Sequence, residues 1–160
     1  RYANQPVEGC ICADGHVILA RGLRILGLDG CMRYRPDVPF MYTEQEMALR
    51  VMKTGLMLAK DSMKGKSGFD ILLTHSPSKG YGDMDDLPHT GFECFEWMLT
   101  KYRPKFHVYG HVHKEYRGAC IGGPGDTSAE ALGFSGYKSV SEHPSGTTLI
   151  NASGYQIIEI

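Results

Sequence analysis

Three histidines carry most of the chemistry this sequence offers. His75 stands one residue beyond the apolar run that ends at Thr74, and His111 and His113 stand just beyond the run that ends at Tyr109. Neutral imidazole is the commonest protein ligand for zinc, iron and related ions. In Gly110-His111-Val112-His113 the two imidazoles are two residues apart, so an extended segment points them to the same side. Gly110 is expected to let the backbone turn tightly toward a bound ion. The rival reading is that each strand-end histidine is only a hydrogen-bonded structural residue. The other histidines differ: His107 lies inside a strand and reads as a core residue or a support for ligands, whereas His16 and His143 read as surface residues.

The loop from Ser76 to His89 contains Asp83, Asp85, Asp86 and His89 beside the expected site. Asp83 and Asp86 are candidates for holding substrate, and His89 is a candidate for handling a leaving-group proton. A solvated, turn-rich loop is the alternative for each. Asp29, in Gly27-Leu28-Asp29-Gly30, also follows a strand and either reaches the same edge or serves a turn.

The elements that must position these groups follow from the hydrophobic pattern. Two β-prone runs, Gly15–Ala20 and Gly22–Leu28, meet at Arg21-Gly22 and suggest a hairpin or two adjacent strands. A polar loop is expected next. Thr43-Glu44-Gln45-Glu46 has capping-box spacing and predicts a helix from Glu44 to Met63, with Met47, Val51 and Leu58 on its apolar face. Gly55 within it marks a kink or close packing.

Phe69–Thr74 is a continuous apolar run, the pattern of a strand covered on both faces. Thr90-Gly91-Phe92-Glu93 repeats the capping-box spacing before a second helix that ends ahead of Pro104. Phe106–Tyr109 is the next strand, residues 117–146 read mostly as loop, and Thr147–Asn151 with Tyr155–Ile160 predicts a closing hairpin. The alternation implies an α/β domain with at least three neighbouring parallel strands. Ligands bind outside the carboxyl ends of such strands, so His75, His111 and His113 are expected to converge there.

Composition narrows the classes. The 160 residues hold 17 Lys+Arg against 18 Asp+Glu, a formal charge of -1, which provides no basic field for nucleic acid. No apolar stretch is long enough to span a bilayer, so no membrane partner is expected and the cytoplasm is the expected compartment. Five Cys with no Cys-x-x-Cys pair suggest neither a disulfide framework nor a zinc ribbon. The chain opens at Arg1 without a Met, and an upstream segment is expected.

With those residues in view, Leu72-Leu73-Thr74-His75-Ser76-Pro77 followed by Gly110-His111-Val112-His113 resembles the C-terminal half of the calcineurin-like metallophosphoesterase family. The likeness extends to Gly80, Gly82 and Asp83, to the run from Asp86 to Phe92, and to Ile150–Tyr155. It covers most of the chain from about Gly22 onward and is similar to small bacterial members.

The resemblance implies part of a four-layer αββα sandwich with two divalent metal ions, manganese, iron or zinc, at the strand ends. His75 and His111 would correspond to ligands of one ion and His113 to a ligand of the other. In the family the first half supplies an Asp-x-His motif, further metal ligands and a leaving-group histidine, ending in a Gly-Asn-His-Asp motif; neither motif is expected within these 160 residues, which are expected to begin just after the second. Three imidazoles alone do not hold two divalent ions close together, because negative ligands must offset their repulsion.

The expected function is therefore metal-dependent hydrolysis of a phosphate mono- or diester on a small phosphorylated substrate. Residues 1–160 are read as a single domain, the C-terminal portion, weak or inactive alone, with His89 standing in for the missing histidine. The alternative is a non-catalytic half-domain that binds metal or phosphate, or completes a site with a homodimer partner or a missing N-terminal segment.

Overall fold

Residues 8–65, 68–112 and 140–152 are described by a computed structural model. The first two β-prone runs form strands β1 (Val17–Ala20) and β2 (Leu23–Leu28), paired antiparallel. Arg21 and Gly22 turn between them with φ of 49° and 85°. The polar segment that follows is not all loop, since β3 (Cys31–Met32) and β4 (Met41–Tyr42) make a small parallel pair of their own.

Helix α1 (Glu44–Ser62) starts at the expected capping box. The Glu46 N–H donates to Thr43 Oγ1 at 3.3 Å, and the Thr43 N–H donates to Glu46 Oε2 at 2.8 Å. Such a box satisfies two backbone donors that the helix leaves unpaired. After α1 come β5 (Ile71–Thr74), a single 3-10 turn at Leu87–His89, α2 (Glu93–Tyr102), β6 (Phe106–Tyr109), β7 (Val140–Glu142) and β8 (Thr148–Asn151).

The second expected capping box does not form. Phe92 occupies the cap position of α2 without a side-chain bond. Instead the Glu93 and Cys94 N–H groups donate to the Glu44 carboxylate, at 3.0 and 2.8 Å. A carboxylate from the first turn of α1 thus caps α2, pairing negative charge with the positive end of the helix dipole. Arg103, at φ 48°, ends α2 just before Pro104.

Six strands form one sheet in the order β1-β2-β5-β6-β8-β7. The inner four, β2, β5, β6 and β8, are parallel, and β1 and β7 are antiparallel edges. The α/β expectation is met, with four neighbouring parallel strands. One core joins Leu26, Leu72 and Leu149 of the sheet to Met47, Val51 and Leu58 of α1 and to Phe95, Met98 and Leu99 of α2. Both helices therefore cover the same face, and each such fully buried side chain contributes about 1.5–3 kcal/mol of transfer free energy. Gly55 marks close packing between the helices rather than a kink, since a Cβ there would lie 3.4 Å from the Tyr102 hydroxyl.

Two expectations for the strands need correction. β5 is not covered on both faces among the described residues: Leu72 is buried, but Leu73, on the opposite face, is 42% exposed. A continuous apolar run reads the same whether one or two layers cover it, so the pattern could not separate them. β8 pairs antiparallel with β7, which lies in the stretch read mostly as loop. The arm from Tyr155 to Ile160, and residues 117–139 of the expected loop, lie outside the described residues. Among the described residues no helix is long and apolar enough to cross a membrane.

Candidate functional site

Parallel strands β5 and β6 end side by side, and the chain immediately beyond them brings two of the three histidines together. The Gly110 N–H donates to the His75 carbonyl at 3.0 Å, which ties the strand ends to each other. The tight turn that follows is centred on His111, not on Gly110. His111 has φ 66°, and the Val112 N–H closes a γ-turn on the Gly110 carbonyl at 2.8 Å. A left-handed conformation costs a non-glycine residue roughly 1–2 kcal/mol, a cost that tends to be tolerated where a side chain has to be aimed.

The aim is toward His75. His111 Nδ1 lies 3.0 Å from His75 Nε2, and the two ring centroids are 4.8 Å apart. His111 Nε2 lies 2.6 Å from the Pro88 carbonyl, which can only accept, so the proton of His111 is on Nε2 and Nδ1 faces His75 without one. A carbonyl that fixes the tautomer from the far side is the usual support for a metal-ligating imidazole. Two nitrogens bound at about 2.1 Å to one ion, at angles near 90–110°, are about 3.0–3.4 Å apart. The donor pair therefore fits a divalent ion in chemistry and spacing. Among the described residues no group of three or more His, Cys, Asp or Glu side chains is arranged to hold one. His113 lies outside the described residues.

The loop between β5 and α2 brings His89 to the same place. Its ring centroid is 5.2 Å from that of His111, and its Nδ1 lies 2.5 Å from Asp86 Oδ2, so the Asp86 carboxylate orients the imidazole. Asp83 has a different occupation: its two oxygens accept from the Gly80 N–H at 2.9 Å and the Gly91 N–H at 3.0 Å, closing the loop on itself. Gly82 is required there, because a Cβ would fall 2.2 Å from the Tyr109 hydroxyl.

Asp29 follows β2 at the same sheet edge but is committed to a network. Arg50 Nη2 donates to Asp29 Oδ1 at 2.8 Å and to Asp14 Oδ1, Arg50 Nη1 donates to the Tyr42 hydroxyl at 2.7 Å, and the guanidinium lies over the Tyr42 ring. Burial, with the charge of Asp14 adding to it, pushes the Asp29 carboxyl above its ordinary value against the pull of Arg50. A cleft of about 220 Å³ lined by Asp14, Asp29, Thr74 and His75 runs from this network to His75. Sequence reasoning missed Asp14. The signal was in the sequence: Asp14-Gly15-His16 does spell an Asp-x-His, against the expectation that none is present, although His16 is exposed and bonds its ring to the Asp14 carbonyl at 2.6 Å.

The two remaining described histidines are interior. His107 is fully buried as expected, and its Nε2 lies 2.8 Å from Thr74 Oγ1, whose own proton goes to the Ser76 carbonyl at 2.6 Å. Burial, then the proximity of His143, depresses its pKa to about 3. His143 is not a surface residue: it is buried, with Nε2 2.7 Å from Glu96 Oε2 and Nδ1 accepting from the Ser145 N–H at 3.1 Å. Its ring also meets Tyr81 edge-on at 4.6 Å. A histidine followed by Pro-Ser-Gly reads as an exposed turn, and only the long-range partner on α2 reveals the burial. Cys94 is not an activated thiol, because burial and the nearby Glu44 push its pKa up.

Comparison with known proteins adds a distant relationship. No protein-family model matches the chain. The chain is 28% identical over 113 residues to metallophosphoesterase domain-containing protein 1 of Homo sapiens, covering 69% of this chain and 31% of that protein, and the Mus musculus protein matches equally. It is 43% identical over 53 residues to a UPF0046 protein of Caenorhabditis elegans, covering 31% of this chain and 13% of that protein. The chain thus spans about a third or less of the curated relatives it matches. One crystal structure aligns with 86% of this chain and 43% of its own length, at a TM-score of 0.50 and 14% identity, a likeness of fold. Together these support a metallophosphoesterase-like relationship.

Proposed function

We propose that this chain is the C-terminal part of a metal-dependent phosphoesterase that hydrolyses a phosphate mono- or diester. The observation that carries the reading is the meeting of His75 Nε2 and His111 Nδ1 at 3.0 Å, at the carboxyl edge of two adjacent parallel strands. The distant relationship to metallophosphoesterase-domain proteins supports the same reading.

His75 and His111 hold one divalent ion, manganese, iron or zinc, and His113 belongs to the second. Such ions supply Lewis-acid stabilisation of phosphoryl charge and a nucleophile at neutral pH. The protein's own contributions are distinct. The Pro88 carbonyl fixes the His111 tautomer, Asp83 shapes the loop that borders the substrate, and His89, oriented by Asp86, delivers a proton to the leaving oxygen. The purified 160-residue chain should bind a divalent ion with measurable stoichiometry by elemental analysis but show little turnover. Robust hydrolysis of a nitrophenyl phosphate with added manganese would contradict the low-turnover expectation, and absence of bound metal at saturating manganese and zinc would contradict the site.

A second reading is favoured by the open face of the sheet at Leu73. A half-domain that completes its site with another chain, whether a second copy or an N-terminal segment, leaves such a face uncovered until the partner arrives. Turnover appearing only after that partner is added separates the two.

A further inference from the structure

The turn that carries His111 lies between two buried residues. Tyr109 closes β6 at 2% exposure and Val112 is 1% exposed, so the chain must leave the sheet edge, present His111 and return to the core with only Gly110 and His111 between. On that path His111 takes φ 66°. A free non-glycine residue disfavours this conformation roughly 5- to 30-fold, so the surrounding structure has to hold it. The bond from the Val112 N–H to the Gly110 carbonyl is local and secures one end of the Val112 residue. The other end is held from β8, where Asn151 Nδ2 donates to the Val112 carbonyl at 2.9 Å.

Asparagine is disfavoured in such a place. Asn151 is 1% exposed at the end of an inner parallel strand, where β-branched and aromatic side chains are the usual choice and a buried carboxamide is costly unless it is bonded. The sheet fixes its backbone: Asn151 stands in register with Tyr109, and the Ala152 N–H donates to the Tyr109 carbonyl at 2.7 Å. The donor therefore sits on the rigid sheet and the acceptor on the strained turn. We infer that Asn151 is a positioning residue for the histidine pair, keeping His111 left-handed so that its Nδ1 stays aimed at His75 Nε2. This rests on the proposed reading of the pair as ligands of one ion, and Asn151 acts on that ion only through the turn.

Without the Asn151 donor the Val112 carbonyl loses that partner inside the fold. Rotation of His111 to a negative φ relieves the strain and swings the imidazole away from His75. The left-handed turn then becomes the minor state, and apparent metal affinity falls with its population, by about 5- to 30-fold.

Metal-free NMR on the full 160-residue chain tests the conformation itself. In the wild-type chain His111 should show the strong intraresidue HN–Hα NOE of a positive φ. Asn151→Leu, close in size but without a donor, should abolish it while the core resonances of Leu72 and Phe95 stay dispersed, and manganese or zinc affinity by calorimetry should fall about 5- to 30-fold. Leu149→Val, which loosens the same strand two residues away, should leave both readouts unchanged. Absence of the NOE from the wild-type chain, its persistence in Asn151→Leu, or its equal loss in Leu149→Val overturns the inference. If Asn151→Leu does not fold, hydrogen exchange in the wild-type chain decides: slow exchange of an Asn151 Nδ2 proton supports the clasp, and exchange at the rate of a free carboxamide overturns it. If the wild-type chain binds neither ion, the reading of the pair as ligands fails, and the NOE still decides whether Asn151 holds the turn.

Discussion

Two groups of histidines lie within this small domain and face opposite physical circumstances. His107 and His143 are interior, and each ring is hydrogen-bonded to groups of the fold: Thr74 for one, Glu96 and Ser145 for the other. His75 and His111 stand at the solvent-facing end of the same strands, with nitrogen directed at nitrogen, and one of the pair is held in a costly backbone conformation. Residue type is identical in the two groups. What differs is the partner: the interior rings bond to hydroxyl, carboxylate and backbone groups of the fold, whereas His75 and His111 meet nitrogen to nitrogen at the strand ends. The first arrangement contributes stability, and the second is the one the proposed function would use to hold a cation.

The sharpest way to break that contrast is His111→Ala. It removes the nitrogen that Pro88 orients, and manganese or zinc affinity by calorimetry should fall at least about 100-fold while thermal stability of the metal-free chain stays within about 1 kcal/mol. A large loss of metal-free stability would place His111 with the interior group.

Within the interior group, His107 should instead answer to pH. His107 is neutral in the folded state with a pKa of about 3, below the ordinary value of 6.5 that it regains on unfolding. The unfolded state therefore binds the extra proton, and stability present above about pH 6.5 is lost progressively as pH falls toward 3, by about 3 kcal/mol at pH 4. Urea melts between pH 7 and 4 should show that slope, and His107→Leu should flatten it. A slope unchanged in the variant would assign the acid sensitivity to the carboxylates.

How much of this was legible beforehand depended on the range of the interaction. The α1 capping box lies within four consecutive residues and was readable from spacing alone. The cap on α2 comes from Glu44, 49 residues before Glu93, and no local pattern announces it. Likewise the convergence of His75 and His111 followed from both standing at ends of parallel strands, because topology fixes which ends are neighbours. The burial of His143 did not, since it needs Glu96 from a different element. The Asp14–Arg50–Asp29 network was hidden for the same reason, although each residue was visible. Asp83 and Asp86 looked alike in the sequence, and only geometry separates a loop clasp from a histidine partner.

Smaller effects refine the contrast. His143→Ala leaves the Glu96 carboxylate and the Ser145 N–H without their partner and removes a ring from the core. A loss of about 1–3 kcal/mol is expected, with metal affinity unchanged. A fall in metal affinity as large as in His111→Ala would mean that the loop carrying Tyr81 transmits the change to the site.

The smallest expected effect concerns a short hydrogen-bonded route between the two groups. Thr74 accepts from His107 through its hydroxyl and passes its own proton to the Ser76 carbonyl, on the residue after His75. Thr74→Val keeps the volume but removes both bonds, leaving His107 Nε2–H and the Ser76 carbonyl without that partner. Stability should fall by about 1–2 kcal/mol. Metal affinity should fall several-fold, because the turn that presents His75 loses its anchor to the interior, and Thr74→Ser should restore both. If the stability loss appears without any change in affinity, the histidine pair is held by its own turn and by Pro88 alone. The interior histidines would then serve the fold and nothing beyond it.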